Sequence, residues 1–273
     1  MINKIPTKFL TSLYSFANRS GLLRIPILRR GYNFTYFLYK KFLEDPYANL
    51  AKIHPEFFQN GHIIDVGANI GYTAHVFSRL LTAGFKVFAF EPDLENFNSL
   101  NMNIHFLKAL EKITAIRSAV GDYEGQISLW INRDHSADHR VVSKRNTVNY
   151  GSKGETVEVP LVSLDHFSKS LKGSKIAFIK IDVQGSELSV SQGMRKTLEE
   201  NPQAVIGIEY APSELLEFGT EPIELLNFFT NRNYSIYVLE RDGSLLELTH
   251  ELLARKLNTR PYLDVVCKKE SQT

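Results

Sequence analysis

Carboxylates at the ends of apolar runs are the residues of this sequence best placed to do chemistry: Asp65, Glu91, Asp182 and Glu209. Each sits at the close of a β-rich stretch, hence at the carboxyl edge of a strand, where open α/β sheets bind ligands. Asp65 leads into Val66-Gly67-Ala68-Asn69-Ile70-Gly71-Tyr72. There Gly67 and Gly71 permit backbone angles and close approaches that a Cβ would block. A helix opening at Tyr72 would add free N–H groups and partial positive charge. The turn is not a dinucleotide fingerprint: G-x-G-x-x-G would need glycine where Asn69 and Tyr72 stand, and Tyr72 would obstruct close helix–strand packing. It is not a P-loop either, since no Gly-Lys-Ser/Thr follows.

Glu91, 20 residues after Gly71 and followed by Pro92, can accept hydrogen bonds from both hydroxyls of a ribose. Such charge-assisted bonds are worth roughly 1.5–3 kcal/mol when desolvated. Asp65 could fix the loop or contact a ligand ammonium. Together they suggest an adenosine ligand that is not strongly anionic. S-adenosyl-L-methionine fits, with its ribose, amino acid tail and sulfonium and no phosphate.

A hydroxyl acceptor would need somewhere for its proton to go. Asp182, Glu209 and His139 are the candidate bases. Each carboxylate also has a plainer reading: Asp182 or Glu187 could serve the helix that follows, and Asp122 could occupy a turn with Gly121. His135 and His139, with Asp134 and Asp138 nearby, could hold a metal only if that segment were helical. No third ligand is evident and no metal is assigned. Trp130 and Cys267 read as packing residues.

The positioning elements follow from periodicity. Apolar runs at His62–Val66, Lys86–Phe90, Ile113–Val120, Ile176–Val183, Ala204–Tyr210, Tyr234–Leu239 and Tyr262–Lys268 predict strands. Helical patterns over Tyr72–Ala83, Leu94–Phe106 and about Glu221–Asn231 fall between them. Unbroken apolar strands alternating with helices imply a mostly parallel sheet covered on both faces. Gln126–Ile131 and Thr156–Val162 read as an inserted pair of strands around the polar stretch Asn132–Glu155, too long for a tight turn.

The chain has 273 residues, 43% hydrophobic and 23% charged, with one cysteine. This excludes a disulfide scaffold and a disordered chain. The absence of a long apolar run predicts no membrane span. Residues 1–43 hold eight basic side chains and no acid, whereas the remainder carries 24 basic and 30 acidic groups. Residues 1–55 read as a basic helical arm and 56–273 as the main domain. The arm is either a solvated helix beside that domain or a contact for a membrane surface. No nucleic-acid-binding pattern accompanies the charge. The expected location is cytoplasmic, with peripheral membrane contact through the arm as the variant.

From about Ile63 to Val266 the sequence resembles the class I S-adenosylmethionine-dependent methyltransferases, specifically the FkbM family. Asp65–Gly71 is similar to the family's first motif, with Asn69 for its middle glycine. Ala89-Phe90-Glu91-Pro92 looks like the second, and Ala119-Val120-Gly121-Asp122 like the segment bordering adenine. Ile179–Glu187 resembles K-x-D-x-E-G-x-E, with Gln184 where the family usually has Glu. The resemblance implies a Rossmann-like, mostly parallel seven-stranded sheet. It also implies a cofactor site at Asp65, Gly67, Asn69, Gly71, Tyr72, Glu91, Pro92, Asp122 and Asp182, and methyl transfer to a hydroxyl of a sugar, lipid or other small molecule. A binding module that keeps the fold without catalysis is the alternative. A nicotinamide oxidoreductase is disfavoured by Asn69 and Tyr72.

Overall fold

The structure is a computed structural model that describes residues 20, 22, 25–40, 46–132, 139–142 and 154–270. Twelve strands are described: β1 His62–Val66, β2 Val87–Phe90, β3 Ile113–Ile116, β4 Ala119–Val120, β5 Gly125–Asn132, β6 Arg140–Val141, β7 Gly154–Val162, β8 Ile176–Ile181, β9 Val205–Tyr210, β10 Ser235–Leu239, β11 Leu245–Glu247 and β12 Leu263–Lys268. The helices used below are α1 Pro26–Tyr39, α2 Tyr47–Ile53, α3 Tyr72–Ser78, α4 Leu94–Phe106, α5 Glu187–Gln192 and α6 Pro222–Thr230.

The main sheet has the order β11-β10-β12-β9-β8-β1-β2-β3. Its β9-β8-β1-β2-β3 portion is parallel, while β12, β10 and β11 pair antiparallel. There are eight strands rather than the seven expected. The extra one, β11, folds back on β10 as an edge hairpin around the turn at Gly243 (φ +91°).

Both faces are covered, because alternate residues of the central strands feed two cores. Ile64, Val66, Ile179 and Ile181 pack with α6 residues such as Phe229. Ile63, Ala89 and Phe178 pack with Phe77 of α3 and Leu100 of α4. The expected strand Ile113–Val120 breaks at Arg117-Ser118. β3 stays in the main sheet, and β4 joins a second sheet, β4-β7-β5-β6, where Ser118 Oγ donates to the Pro160 carbonyl. That second sheet is the predicted insertion, closed over a small core of Leu129, Val141, Val159 and Leu161. His135 and most of the polar stretch around it lie outside the described residues, as do residues 1–19.

The division at residue 55 does not follow the packing. Tyr47, Leu50 and Ala51 of α2 are buried in the main core, with the Tyr47 ring edge-on to Phe77 and Phe178. Gly207 of β9 is glycine because a Cβ there would come within 2.7 Å of that ring. The arm reading missed this because α2 is only seven residues long, too short to display a full period. Leu50→Ala should therefore lower the unfolding free energy by about 3 kcal/mol in a denaturant titration; a change under about 0.5 kcal/mol, typical of a surface site, would return α2 to the arm.

Candidate functional site

In-register strands set the site. Val66 pairs with Phe90 on one side and Ile181 on the other. The next residues, Gly67, Glu91 and Asp182, therefore line up across the carboxyl edge. The chain leaves β1 toward β2 on one flank, and the later strands β8 and β9 build the other. This is a topological switch point, which leaves a crevice between the departing loops.

The first loop is pinned rather than mobile. Gly67 N and Ala68 N donate to the Phe90 carbonyl at 3.1 and 2.9 Å, and Asn69 N donates to Glu91 Oε2 at 2.8 Å. A Cβ on Gly67 (φ +81°) would stand 1.8 Å from the Asp182 carbonyl oxygen. The two loops touch backbone to backbone there, and only glycine fits. Asn69 adopts φ +50°, a left-handed conformation Asn tolerates. The second loop is held by Glu187, the first residue of α5. Its buried carboxylate accepts from Val183 N and Gly185 N at 3.3 and 3.1 Å. Burial raises Glu187 to about 7.

A cavity of about 400 Å³ opens over these loops, within the size range of small-ligand sites. Gly67, Asn69, Tyr72, Glu91, Pro92, Asp182 and Glu209 all line it. Ser118, Ala119 and Val120 form one side, Leu129, Arg140 and Val141 of the inserted sheet another, and Tyr36 and Lys40 close it from the N-terminal segment. Asp65 lies directly beneath, fully buried. Gly71 is set back, its absent Cβ making room for Leu100.

Two expected residues have protein partners of their own. Asp122 is exposed, outside the lining, and accepts from Ser189 Oγ at 2.8 Å. The chain turns away after Val120, so Ser118–Val120 reach the cavity in its place. His139 does line the cavity, but its Nδ1 accepts from Asn132 N at 3.0 Å, which leaves Nε2 as the protonated nitrogen, 3.7 Å from Asp93 Oδ1. It bridges the end of β5 to Asp93 at the N-terminus of α4.

Sequence reasoning gave no role to Lys180, the lysine of the K-x-D-x-E-G-x-E-like stretch and an interruption in an apolar strand. It pairs in register with Asp65. Its Nζ lies 2.9 Å from Asp182 Oδ2 and 3.7 Å from Asp65 Oδ1, at 6% exposure. Burial opposes its charge, but Asp182 and Asp65 outweigh burial and raise its pKa. The reciprocal holds for Asp182: burial disfavours its charge, yet Lys180 and Lys40 lower it below the usual carboxylate range. Glu209 goes the other way. Burial, with Asp182, Asp264 and Glu214 adding repulsion, raises it well above the usual range. Gln184 Nε2 bridges the two, 3.3 Å from Asp182 Oδ1 and 3.0 Å from Glu209 Oε1.

S-adenosylmethionine fits this donor set. The lining offers carboxylates for hydroxyls and cations, while the Lys180 charge is neutralised by its two aspartates and Arg140 is engaged by Glu214 and Glu217. Asn69 Oδ1 is a buried acceptor with no hydrogen-bond partner among the described residues. Glu91 accepts one backbone N–H on each oxygen, from Asn69 and Asp93, and each oxygen keeps capacity for a ribose hydroxyl.

Among known proteins, the family match gives the same reading. Residues 65–236 match the Methyltransferase FkbM domain. A curated hexuronic acid methyltransferase, AglP of Haloferax volcanii, is 28% identical over 135 residues, 50% of this chain and 50% of that protein, so the chain spans about half the length of the curated relative it matches. An FkbM methyltransferase structure from Methylobacillus flagellatus aligns with TM-score 0.46 and 16% identity, covering 77% of this chain and 44% of that one. An O-methyltransferase structure from Bacillus cereus in complex with SAH aligns with TM-score 0.48 and 10% identity, covering 98% and 94%.

Lys180→Met should leave two carboxylates without their buried cation and cost about 3–5 kcal/mol of stability at neutral pH. Denaturant titrations should show the deficit shrinking in acid, as the aspartates take up protons. A second expectation concerns Glu91, which burial raises from 4.5 to about 8 against the opposing pull of its backbone donors. Its stabilising contribution is complete below pH 4.5, where it is neutral in both states, and is lost as pH rises through 8. Melting temperatures of the ligand-free protein from about pH 5 to 9 should therefore fall more steeply in the wild type than in Glu91→Gln; parallel curves would refute the assignment.

Proposed function

The chain belongs to the FkbM methyltransferase family, whose methyl donor is S-adenosylmethionine, and from that premise we propose that it methylates a hydroxyl oxygen of a sugar or glycan acceptor. One observation carries this reading: two carboxylates, Asp182 beside the Lys180 ammonium and Glu209 among other acids, joined by Gln184 on the wall of the cavity. When bound, S-adenosylmethionine supplies an electrophilic methyl group on a positively charged sulfur.

Glu91 would hold the ribose hydroxyls of the donor, with Asn69 and the Gly67–Ile70 backbone beside it on the cavity wall. Asp182, beside Lys180, would offer negative charge to a cationic part of the donor. Glu209 is the base. In its ionised form it accepts the acceptor hydroxyl's proton as oxygen attacks, and its raised affinity for protons makes it the stronger base of the two. Gln184, donating to both carboxylates, fixes their separation. The inserted sheet and the Tyr36–Lys40 turn limit water and leave the enzyme chiefly the task of placement. The hexuronic acid named for the Haloferax relative supports an acidic sugar as the acceptor class.

Calorimetry with S-adenosylmethionine and S-adenosylhomocysteine should give micromolar binding, about −8 kcal/mol. Glu91→Ala should weaken it more than about tenfold, and Glu209→Gln should leave it within about threefold. With uronic-acid glycans as acceptors, Glu209→Gln should lower turnover roughly 100-fold. Equal loss of donor binding in both variants would overturn the division of roles, and absence of donor binding to folded protein would overturn the function.

A further inference from the structure

Helix α1 is apolar on the wrong side. Its inner face is polar and aromatic. Asn33 Nδ2 donates to Asn103 Oδ1 at 3.3 Å, Arg29 pairs with Glu95 at 3.0 Å, the Phe37 ring meets Tyr72 edge-on, and Tyr36 lines the cavity. Its outer face carries Ile27, Phe34 and Leu38, exposed by 75%, 60% and 40%. These recur at i, i+7 and i+11 with Gly31 between them, which is one stripe along the helix. Leu28 beside it and Ile25 just before the helix are exposed as well. The charged side chains of α1 itself are of one sign: it contains Arg29, paired with Glu95, and Arg30 and no acidic residue, within the first 43 residues that hold eight basic side chains and no acid.

We propose that the outer face of α1 docks the protein on an anionic lipid surface, with Ile27, Phe34 and Leu38 entering the headgroup–acyl boundary and Arg30 and its basic neighbours meeting the headgroups. An amphipathic helix of this composition lies in the interface plane and does not cross it. Among the described residues no helix is long and apolar enough to span a bilayer. Charge decides the occupant. A segment with basic and no acidic side chains is drawn to an anionic leaflet, whereas against a second copy of itself it repels. The consequence is positional: the helix whose inner side walls the cavity lies on the bilayer, so the cavity opens beside it.

The test is sedimentation of the full chain with phosphatidylglycerol-rich vesicles and with neutral phosphatidylcholine vesicles, and it requires no acceptor. The wild type should partition onto the anionic vesicles, more weakly at high salt, and roughly tenfold less onto neutral ones. Ile27→Glu with Phe34→Glu should reduce partitioning at least about tenfold while leaving the melting temperature and S-adenosylhomocysteine affinity unchanged. Failure of the wild type to bind, or equal binding by the variant, overturns the proposal. A variant that melts much earlier overturns it too, because the stripe is then covered by the chain itself. So does a concentration-dependent dimer in light scattering that the variant abolishes, because the occupant is then a second copy. Failure of donor binding alone would sink the methyltransferase reading and leave this one standing.

Discussion

A buried ammonium between two strands governs the site. Lys180 sits where the sheet would otherwise be continuous hydrocarbon, and only the flanking Asp65 and Asp182 make its burial tolerable. The arrangement has an electrostatic consequence beyond its own stability. Lys180 beside Asp182 favours its ionised form at the cavity wall, while at Glu209 burial and neighbouring carboxylates outweigh the pull of Lys40. One motif position thus pushes the proton affinities of two neighbouring acids apart.

The loops that meet over this pair are shaped by close approach. Gly67 lies against the Asp182 carbonyl with no room for a methyl group, so the first loop cannot move without the second. Glu187 then ties Val183 and Gly185 from below, and Gln184 is left with φ +56°, a conformation a side chain of its size adopts at a cost. That turn aims its amide at both carboxylates. Glu91 acts likewise on the other side, holding Asn69 through the backbone while facing the cavity. The carboxylates of this site therefore build the loops as well as line them.

The covering elements come from far away in sequence. Asn33 of α1 reaches Asn103 of α4, whose Nδ2 donates to the Ile70 carbonyl at 2.8 Å, so the N-terminal helix is hydrogen-bonded into the first loop through one intermediary. The inserted sheet supplies the opposite wall. Its Arg140 is held by Glu214 and Glu217 near the end of β9, which braces the insertion on the main sheet.

Much of this was legible without coordinates. Strand β1 and helix α4 fall where periodicity put them, and Gly67, Asn69, Glu91, Asp182 and Glu209 all reach one cavity because strand-end residues of a parallel sheet share an edge. Backbone period and turn chemistry are local properties, so sequence by itself determines them. Lys180, the engaged lone pair of His139, the departure of Asp122 and the burial of α2 were decided by the tertiary structure. Each depends on which residue of one strand or helix lies opposite which residue of another. That register follows from the packing of the whole sheet, and no stretch of sequence carries it alone.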